Sequence, residues 1–452
     1  MLVQKFGGTS VADPDAVRRL IGIARTAHTR DGRGPVIVVS ALSGVTDALL
    51  AIAREAGAAD VERALGHVAQ LRDRHIAMTQ ALVGAGQMAA LAAHVQSQFD
   101  QLAAVVKALG VLREVSSGTL DVIAATGELL SSRIVAEALV HAGLPGEWVD
   151  ARLAIVTNDD YTRAMPLMRE TTAALRAVVS PLVDAGRVPV LGGFVGATLQ
   201  GHTTTLGRGG GDYSGAIVGA GIGASEIQIW TDVDGMLTAD PRIIPQPKLV
   251  PRLSFAEAAE LAYFGAKVLH PSTIHPAVER NIPVRILNSR KPDGTGTLIT
   301  AEAAPGPRSL TGMAAKRDIT VVDITSDRML MAYGFLRRVF EVFERFQTAV
   351  DVVTTSEVSV SVTVDDRRHL DAIVEALSQF AEVAIEPEMA LLCAVADRLR
   401  TDPAIAARVV GVLEEVPLRM ISQAASRRNI TVIMRQADLP HAMHRLHEEF
   451  FT

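Results

Sequence analysis

Residues 2–6 form a short apolar run that Gly7 and Gly8 break at once, and a stretch with helical spacing follows. Asp13 ahead of Pro14 predicts where that helix begins, because Asp offers a cap acceptor and proline tolerates the first turn. A second run, residues 36–40, again ends in a turn, at Ser43-Gly44. Short strands alternating with helical stretches predict an α/β unit, a parallel sheet covered by helices. Residues 49–110 are rich in Ala and Leu and keep helical periodicity, so they predict a helical excursion from the sheet. Strand-like runs return at 188–191, 226–231 and 283–287. Between the last two, Ser254 and Glu257 form a capping box for a helix that ends near Gly265.

The pattern changes at residues 291–312, where Pro and Gly recur and apolar periodicity fades. Beyond it the units are shorter: a strand at 318–325, a helix at 335–346 and a strand at 349–354. Residues 357–362 then alternate strictly, as a half-buried strand should, and a helix at 368–380 follows. A similar order recurs: a strand near Leu391, a helix at 404–415, strands near Leu418 and at 430–434, and a terminal helix. The expected organisation is a catalytic-type domain over 1–300, a linker over 301–316, and two small α+β units over 317–388 and 389–452, side by side or intertwined.

Composition narrows the classes of function. With 452 residues, two or three domains are expected. Aromatics are only 4%, so the core must come from Ala, Val, Leu and Ile. A net charge of −6, with no basic run and no stacking platform, argues against a nucleic-acid or anionic-membrane binder. No stretch is apolar for long enough to span a bilayer, and the start of the chain lacks the h-region of a signal peptide, so a cytoplasmic location is expected. The single cysteine, Cys393, lies in the apolar run 391–395 and reads as a core residue, not a nucleophile or half of a disulfide.

Four clusters carry chemistry. Lys5-Phe6-Gly7-Gly8-Thr9-Ser10 places a lysine at a strand end before a loop whose amides can approach phosphate oxygens, although it is not a Walker A loop. Thr205-Leu206-Gly207-Arg208-Gly209-Gly210-Gly211-Asp212 combines three consecutive glycines, costly unless the backbone must approach something closely, with Arg208 to grip a carboxylate and Asp212 to orient a lysine or help hold Mg²⁺. Trp230-Thr231-Asp232-Val233-Asp234-Gly235 follows a strand, as ligand loops do, and is followed by Asp240-Pro241-Arg242. Phe264-Gly265-Ala266-Lys267-Val268 puts a lysine just past a helix end. Ser40, Thr46 and Glu128 add hydroxyls and a lone carboxylate. Each cluster alone also reads as an ordinary loop, and Glu128 as a solvated helix residue. Together they are equipment for bringing two anions together, which phosphoryl transfer onto an ionised carboxylate requires; that reaction needs positioning and charge neutralisation but no general base.

Residues 5–10, 40–47, 126–131, 205–213, 230–235, 240–242 and 265–271 resemble, in the same order, the motifs of the aspartate kinase family. The resemblance implies the amino-acid kinase fold, a mainly parallel sheet between helical layers, followed by two ferredoxin-like ACT units. It implies that L-aspartate and ATP, carrying Mg²⁺, give 4-phospho-L-aspartate and ADP, the first step toward lysine, threonine, methionine and diaminopimelate, with no metal site of the protein's own. By matching position, Lys5, Ser40, Thr46, Glu128 and Arg208 take aspartate or the reacting groups, Arg208 on the α-carboxylate and Glu128 on the α-ammonium. Gly7, Gly8, Thr231, Asp232, Arg242, Lys267 and Val268 take the nucleotide, Lys5 and Lys267 stabilise the transition state, and Asp212 organises the charges. The tail is similar to the lysine-sensing type, in which an effector binds between ACT domains of a homodimer or homotetramer. Met329, Gly334, Phe335, Leu336, Asp351, Thr355, Ser356 and Glu357 match that site, with Asp351 and Glu357 suited to lysine's ammonium groups. The chain departs from the family pattern at Gly211 and Ala332, where serine is common, at Leu237, where tyrosine is, and at Asp234, where proline is.

Two rivals share part of this pattern. Another amino-acid kinase would share the glycine loops and lysines but not Thr126-Gly127-Glu128 together with the Arg208 cluster and paired ACT units. A non-enzymatic amino-acid sensor on a kinase scaffold would be expected to lack Lys5, Arg208 or Lys267, and all three are present. His441, His444 and His447 recur every third residue on the terminal helix, where a solvated or interface face is expected rather than a metal site.

Overall fold

The computed structural model describes residues 1–207, 209–265, 269, 271–302, 310–326, 333–397, 399, 401–423 and 426–452. They form two compact units, Met1–Met236 with Val268–Glu302, and Leu237–Lys267 with Ala303–Thr452. Residues 237–267, read from the sequence with the first domain, thus group with the C-terminal unit.

In the first unit, Gly146–Val149, Val188–Gly192, Val36–Val39, Leu2–Phe6, Glu226–Thr231 and Val284–Asn288 lie side by side in that order, all parallel. Thr297–Thr300 adds antiparallel to the last of them. That strand falls in the Pro- and Gly-rich stretch where none was expected, because four residues are too few to display a period. Leu2–Phe6, Val36–Val39 and Val188–Gly192 are buried at every position, as strands in a sheet covered on both faces should be. Gln4 and Lys5 are polar exceptions among them, and the alternation of a strand sends them to opposite faces.

The first helix, Pro14–Asp31, begins as its sequence predicts, with Asp13 Oδ1 accepting from the Ala16 amide at 2.8 Å. The helical excursion resolves into Val45–Gly57, Val61–Leu82, Ala85–Leu112 and Ser117–His141. Leu49, Ile52, Val68, Leu91, Phe99, Ile123 and Leu130 from these helices share one buried cluster with Ile37 and Val39 of the sheet. Each large apolar side chain fully buried there contributes roughly 1.5–3 kcal/mol, which is what secures so long a detour from the sheet. A small second sheet, Val156–Thr157, Val195–Thr198 and Thr203–Thr205, leads into the glycine-rich segment.

The second unit holds one antiparallel sheet in the order Val353–Thr355, Ser359–Val364, Gly312–Thr325, Glu382–Val395, Asn429–Arg435, Leu418–Ser422. Helices Phe335–Arg345 and Leu370–Ser378 pack with Val322, Ile324, Val360 and Val362 in one core. Helices Pro403–Val412 and Leu439–Phe451 pack with Met313, Leu392, Ile430 and Val432 in another. The two 14-residue strands therefore serve both cores, one half each. Their ladder shifts register between Lys316 and Ile319, and Asp318 and Glu388 adopt φ of 58°, so a bulge separates the halves. The charged run Lys316-Arg317-Asp318 at the bulge hides the continuity, which is why the sequence suggested a strand starting only at Asp318 and a linker up to 316. Helix Phe255–Tyr263 opens on the predicted capping box of Ser254 and Glu257. Cys393 is buried within the sheet. Among the described residues no helix is long and apolar enough to cross a membrane.

Candidate active site

The carboxyl ends of the parallel strands gather the N-terminal cluster. Lys5, 7% exposed, stands one residue before the end of its strand, with Nζ 2.6 Å from Asp212 Oδ1. Asp212 sits in the first turn of helix Gly210–Ile222, where the helix dipole favours an acidic group. The chain enters that helix through Gly209 at φ 74°, a left-handed conformation that glycine adopts without strain. Gly211 has a different reason. A Cβ there would lie 3.0 Å from Ser40 Oγ and 3.2 Å from Lys5 Cε, so glycine lets the helix close on both side chains. The departure from serine at this position thus trades a hydroxyl for close approach. Gly7 donates its amide to Trp230 O at 3.0 Å, and Ser40 donates its amide to Phe6 O at 3.1 Å, which ties three loops to one strand end.

Glu128 is not solvated. It lies on helix Ser117–His141, 4% exposed, and burial pushes its carboxyl up to about 8, against the pull of the Ala41 and Glu128 amides and the Thr46 hydroxyl. Its Oε2 has no hydrogen-bond partner among the described residues. Ser131, one turn on, donates its hydroxyl to Ser40 O at 2.8 Å. The structure therefore brings Lys5, Gly7, Gly8, Ser40, Thr46, Glu128, Gly211 and Asp212 together in the first unit. A carboxyl so desolvated takes its charge readily only when a cation arrives.

Thr231 and Asp232 follow the neighbouring strand, and the Thr231 hydroxyl donates to Asp232 Oδ1 at 3.3 Å. Asp234 accepts from Asn288 Nδ2 at 2.6 Å and lies 2.8 Å from Lys291 Nζ, so the aspartate that stands where proline is common has partners of its own. Those bonds, the Lys291 one first, hold its carboxyl below the usual range. Arg242 belongs to the second unit, where it is exposed and pairs with Asp240 at 2.6 Å. Arg208, Lys267, Val268 and Met329 lie outside the described residues.

Of the effector residues, Asp351 is nearly buried and pairs with Lys316 Nζ at 2.9 Å, leaving its Oδ2 without a partner among the described residues. Gly334, at φ 84°, caps the helix that begins at Phe335; Phe335 is buried and Leu336 exposed. Thr355, Ser356 and Glu357 are exposed. Glu357 lies in the turn between Val353–Thr355 and Ser359–Val364 and not in the strand that the alternating run suggested, because Ser356 Oγ accepts from the Ser359 amide and closes a tight turn. On the terminal helix, His441 and His444 are exposed, whereas His447 is buried and hydrogen-bonded to the Thr238 hydroxyl at 3.2 Å.

Two supporting residues went unread in the sequence. Asp121, 1% exposed, accepts from the Thr162 amide, the Thr205 amide at 3.0 Å and the Thr205 hydroxyl at 2.6 Å, and so anchors the strand that leads to Gly207. Arg74 donates to Ser43 O at 2.9 Å and Ala12 O at 3.3 Å, clamping two loops. Both partners are distant in sequence, and neither residue sits in a motif.

The model of the amino acid kinase family matches residues 1–288, and an ACT domain model matches residues 392–450. The chain is 36% identical over 465 residues to the chloroplastic aspartokinase 3 of Arabidopsis thaliana, covering 99% of this chain and 81% of that protein. Two crystal structures of Escherichia coli aspartokinase III are 33% identical and cover the whole of both chains. The complex with lysine and aspartate, in the T-state, superposes with a TM-score of 0.85. The complex with aspartate and ADP, in the R-state, superposes with a TM-score of 0.82. Motif order, sheet topology and full-length likeness agree, and the chain belongs to the amino acid kinase family as one of its aspartokinases.

Proposed function

We infer that the chain transfers the γ-phosphoryl group of ATP to the side-chain carboxylate of L-aspartate, giving 4-phospho-L-aspartate and ADP. The observation that carries this is the Lys5–Asp212 pair at the glycine-lined strand ends, in one unit with the buried, cation-seeking Glu128. Aspartate's carboxylate is ionised at neutral pH and attacks without a base. The obstacle is repulsion between it and the phosphates. The Lys5 ammonium offsets that repulsion on the transferring group, and Asp212 fixes its direction. Glu128 receives the α-ammonium, and Arg208, by matching position, receives the α-carboxylate. The glycine amides of Gly7 and Gly8, with Thr231, Asp232, Arg242, Lys267 and Val268, serve the nucleotide, and Lys267 supports Lys5 in the transition state. Mg²⁺ is proposed to enter on the phosphates of ATP, and Asp212, paired with Lys5 at the strand ends, is the carboxylate that would help hold it. That ion supplies further neutralisation of phosphate charge.

Lysine is the proposed effector, taken by Asp351 and Glu357, and it acts by binding the less active state more tightly. The assembly is proposed to be a homodimer or homotetramer through the ACT units, in the cytoplasm. ATP-dependent formation of aspartyl hydroxamate by the purified chain tests the reaction: product with aspartate and not with glutamate is expected, and no product with any amino acid would favour the sensor reading. Light scattering with and without lysine tests the assembly.

A further inference from the structure

Lys5 points to one face of the first unit's sheet, and the opposite face is polar where it should be apolar. Register places Gln4 beside Gln228 and Gln228 beside Arg285, with Glu226 two residues before Gln228 on the same face. Central parallel strands normally carry apolar side chains on both faces, because helices cover both. Here the polar row lines a cavity of about 1040 Å³, which helix Pro14–Asp31 lines from the other side with Arg19 and Ile23.

The row is bonded in a fixed direction. Arg285 Nη2 pairs with Glu226 Oε2 at 3.1 Å. Glu226 Oε1 accepts from Gln228 Nε2 at 2.9 Å. Gln228 Oε1 accepts from the Trp230 indole at 3.2 Å and from Gln4 Nε2 at 3.0 Å. The indole only donates and the carboxylate only accepts, so neither amide can be turned round without losing bonds. Gln4, 1% exposed, is left presenting Oε1, an acceptor with no partner among the described residues. Arg19 Nε, a donor, is also buried and without a partner among them. Both residues line the same cavity, and so does Arg33. The acids lining it are Glu226, engaged by Arg285, and Asp293, so positive charge prevails there.

We propose that this cavity binds a small organic oxyanion that also carries an O–H or N–H donor. The donor group goes to Gln4 Oε1, and the oxyanion, a phosphate ester or a carboxylate, goes to the guanidinium groups of Arg19 and Arg33. The site lies across the sheet from Lys5 and Gly211, and none of the residues assigned to aspartate or nucleotide lines it.

The test is calorimetric titration of the full chain, with Mg-ADP and aspartate saturating so that the catalytic site is filled. The probes are ribose 5-phosphate, malate and sulfate; the first two carry both an oxyanion and hydroxyl donors, and sulfate carries the oxyanion alone. One of the first two is expected to bind one per chain, at least tenfold tighter than sulfate, and which one does so tells a phosphate ester from a carboxylate. Gln4→Leu is expected to erase the advantage over sulfate. Arg33→Leu, at an exposed position that does not threaten folding, is expected to weaken binding at least tenfold. Kinase activity of each variant confirms that it is folded. Absence of saturable binding below 10 mM for both organic probes, or binding that neither substitution changes, overturns the proposal.

Discussion

Binding of aspartate should expel a proton from Glu128. With its carboxyl pushed up to about 8 by burial, Glu128 is mostly neutral in the ligand-free enzyme at pH 7. By the titration equation the protonated share is about 0.9 at pH 7, about 0.5 at pH 8 and about 0.1 at pH 9. An ammonium group brought against the bare Oε2 favours the carboxylate and returns the group toward ordinary acidity. Titrating aspartate calorimetrically in phosphate and in Tris, whose ionisation heats differ, should therefore reveal release of about 0.9 proton per site at pH 7, falling toward about 0.1 at pH 9. Glu128→Gln keeps the shape and should release none. Release below about 0.2 proton at pH 7 in the wild-type chain, or equal release in the Gln variant, would refute the assignment. The same shift has a consequence for stability with a definite sign. The folded pKa, about 8, exceeds the ordinary 4.5, so between these values the native state holds a proton that the unfolded chain has lost. Stability from this group is full below 4.5 and is lost as pH rises to 8, by up to about 5 kcal/mol without aspartate. Melting of the ligand-free chain at pH 6 and pH 9 should show the loss, and Glu128→Gln should flatten it.

Other expectations are as direct. Lys5→Met should lower kcat/KM at least about 10³-fold with little change in melting, because it removes charge from the transition state and leaves Asp212 partly exposed to water; a loss under tenfold in steady-state kinetics would remove Lys5 from the chemistry. Asp121→Ala should destabilise the chain by about 2–4 kcal/mol in denaturant melts, since it strands the Thr162 and Thr205 amides. Glu357→Ala, at an exposed turn, should blunt inhibition by lysine while uninhibited turnover stays near wild type; unchanged inhibition curves would take Glu357 out of the effector site. Burial pushes the Cys393 thiol up, so a thiol reagent should label it only on unfolding.

Local signals were the most legible. Asp13, Ser254 and Glu257 announce helix starts because a cap depends on neighbours three residues apart, and the structure has both caps. The glycine clusters also announce themselves, since strings such as Gly209-Gly210-Gly211 have few uses other than unusual dihedrals or close approach. Burial of a polar side chain was not legible. Glu128 looks like any helix glutamate until the segments carrying Ala41 and Thr46 close over it, and Asp121 is meaningless until the strand holding Thr205 returns beside it. The strand Thr297–Thr300 and the first half of Gly312–Thr325 were missed for another reason: brevity in one case, and in the other a charged bulge that interrupts the alternation.

Because Gly312–Thr325 and Glu382–Val395 each feed two cores, the ACT pair has no seam at which the gene could be cut. A polypeptide emerging from the ribosome cannot finish the second of those cores until Asn429–Arg435 has been made. Recombination between relatives must exchange the pair whole, and a chain truncated after residue 388 should be cleared by proteases rather than survive as a working single sensor.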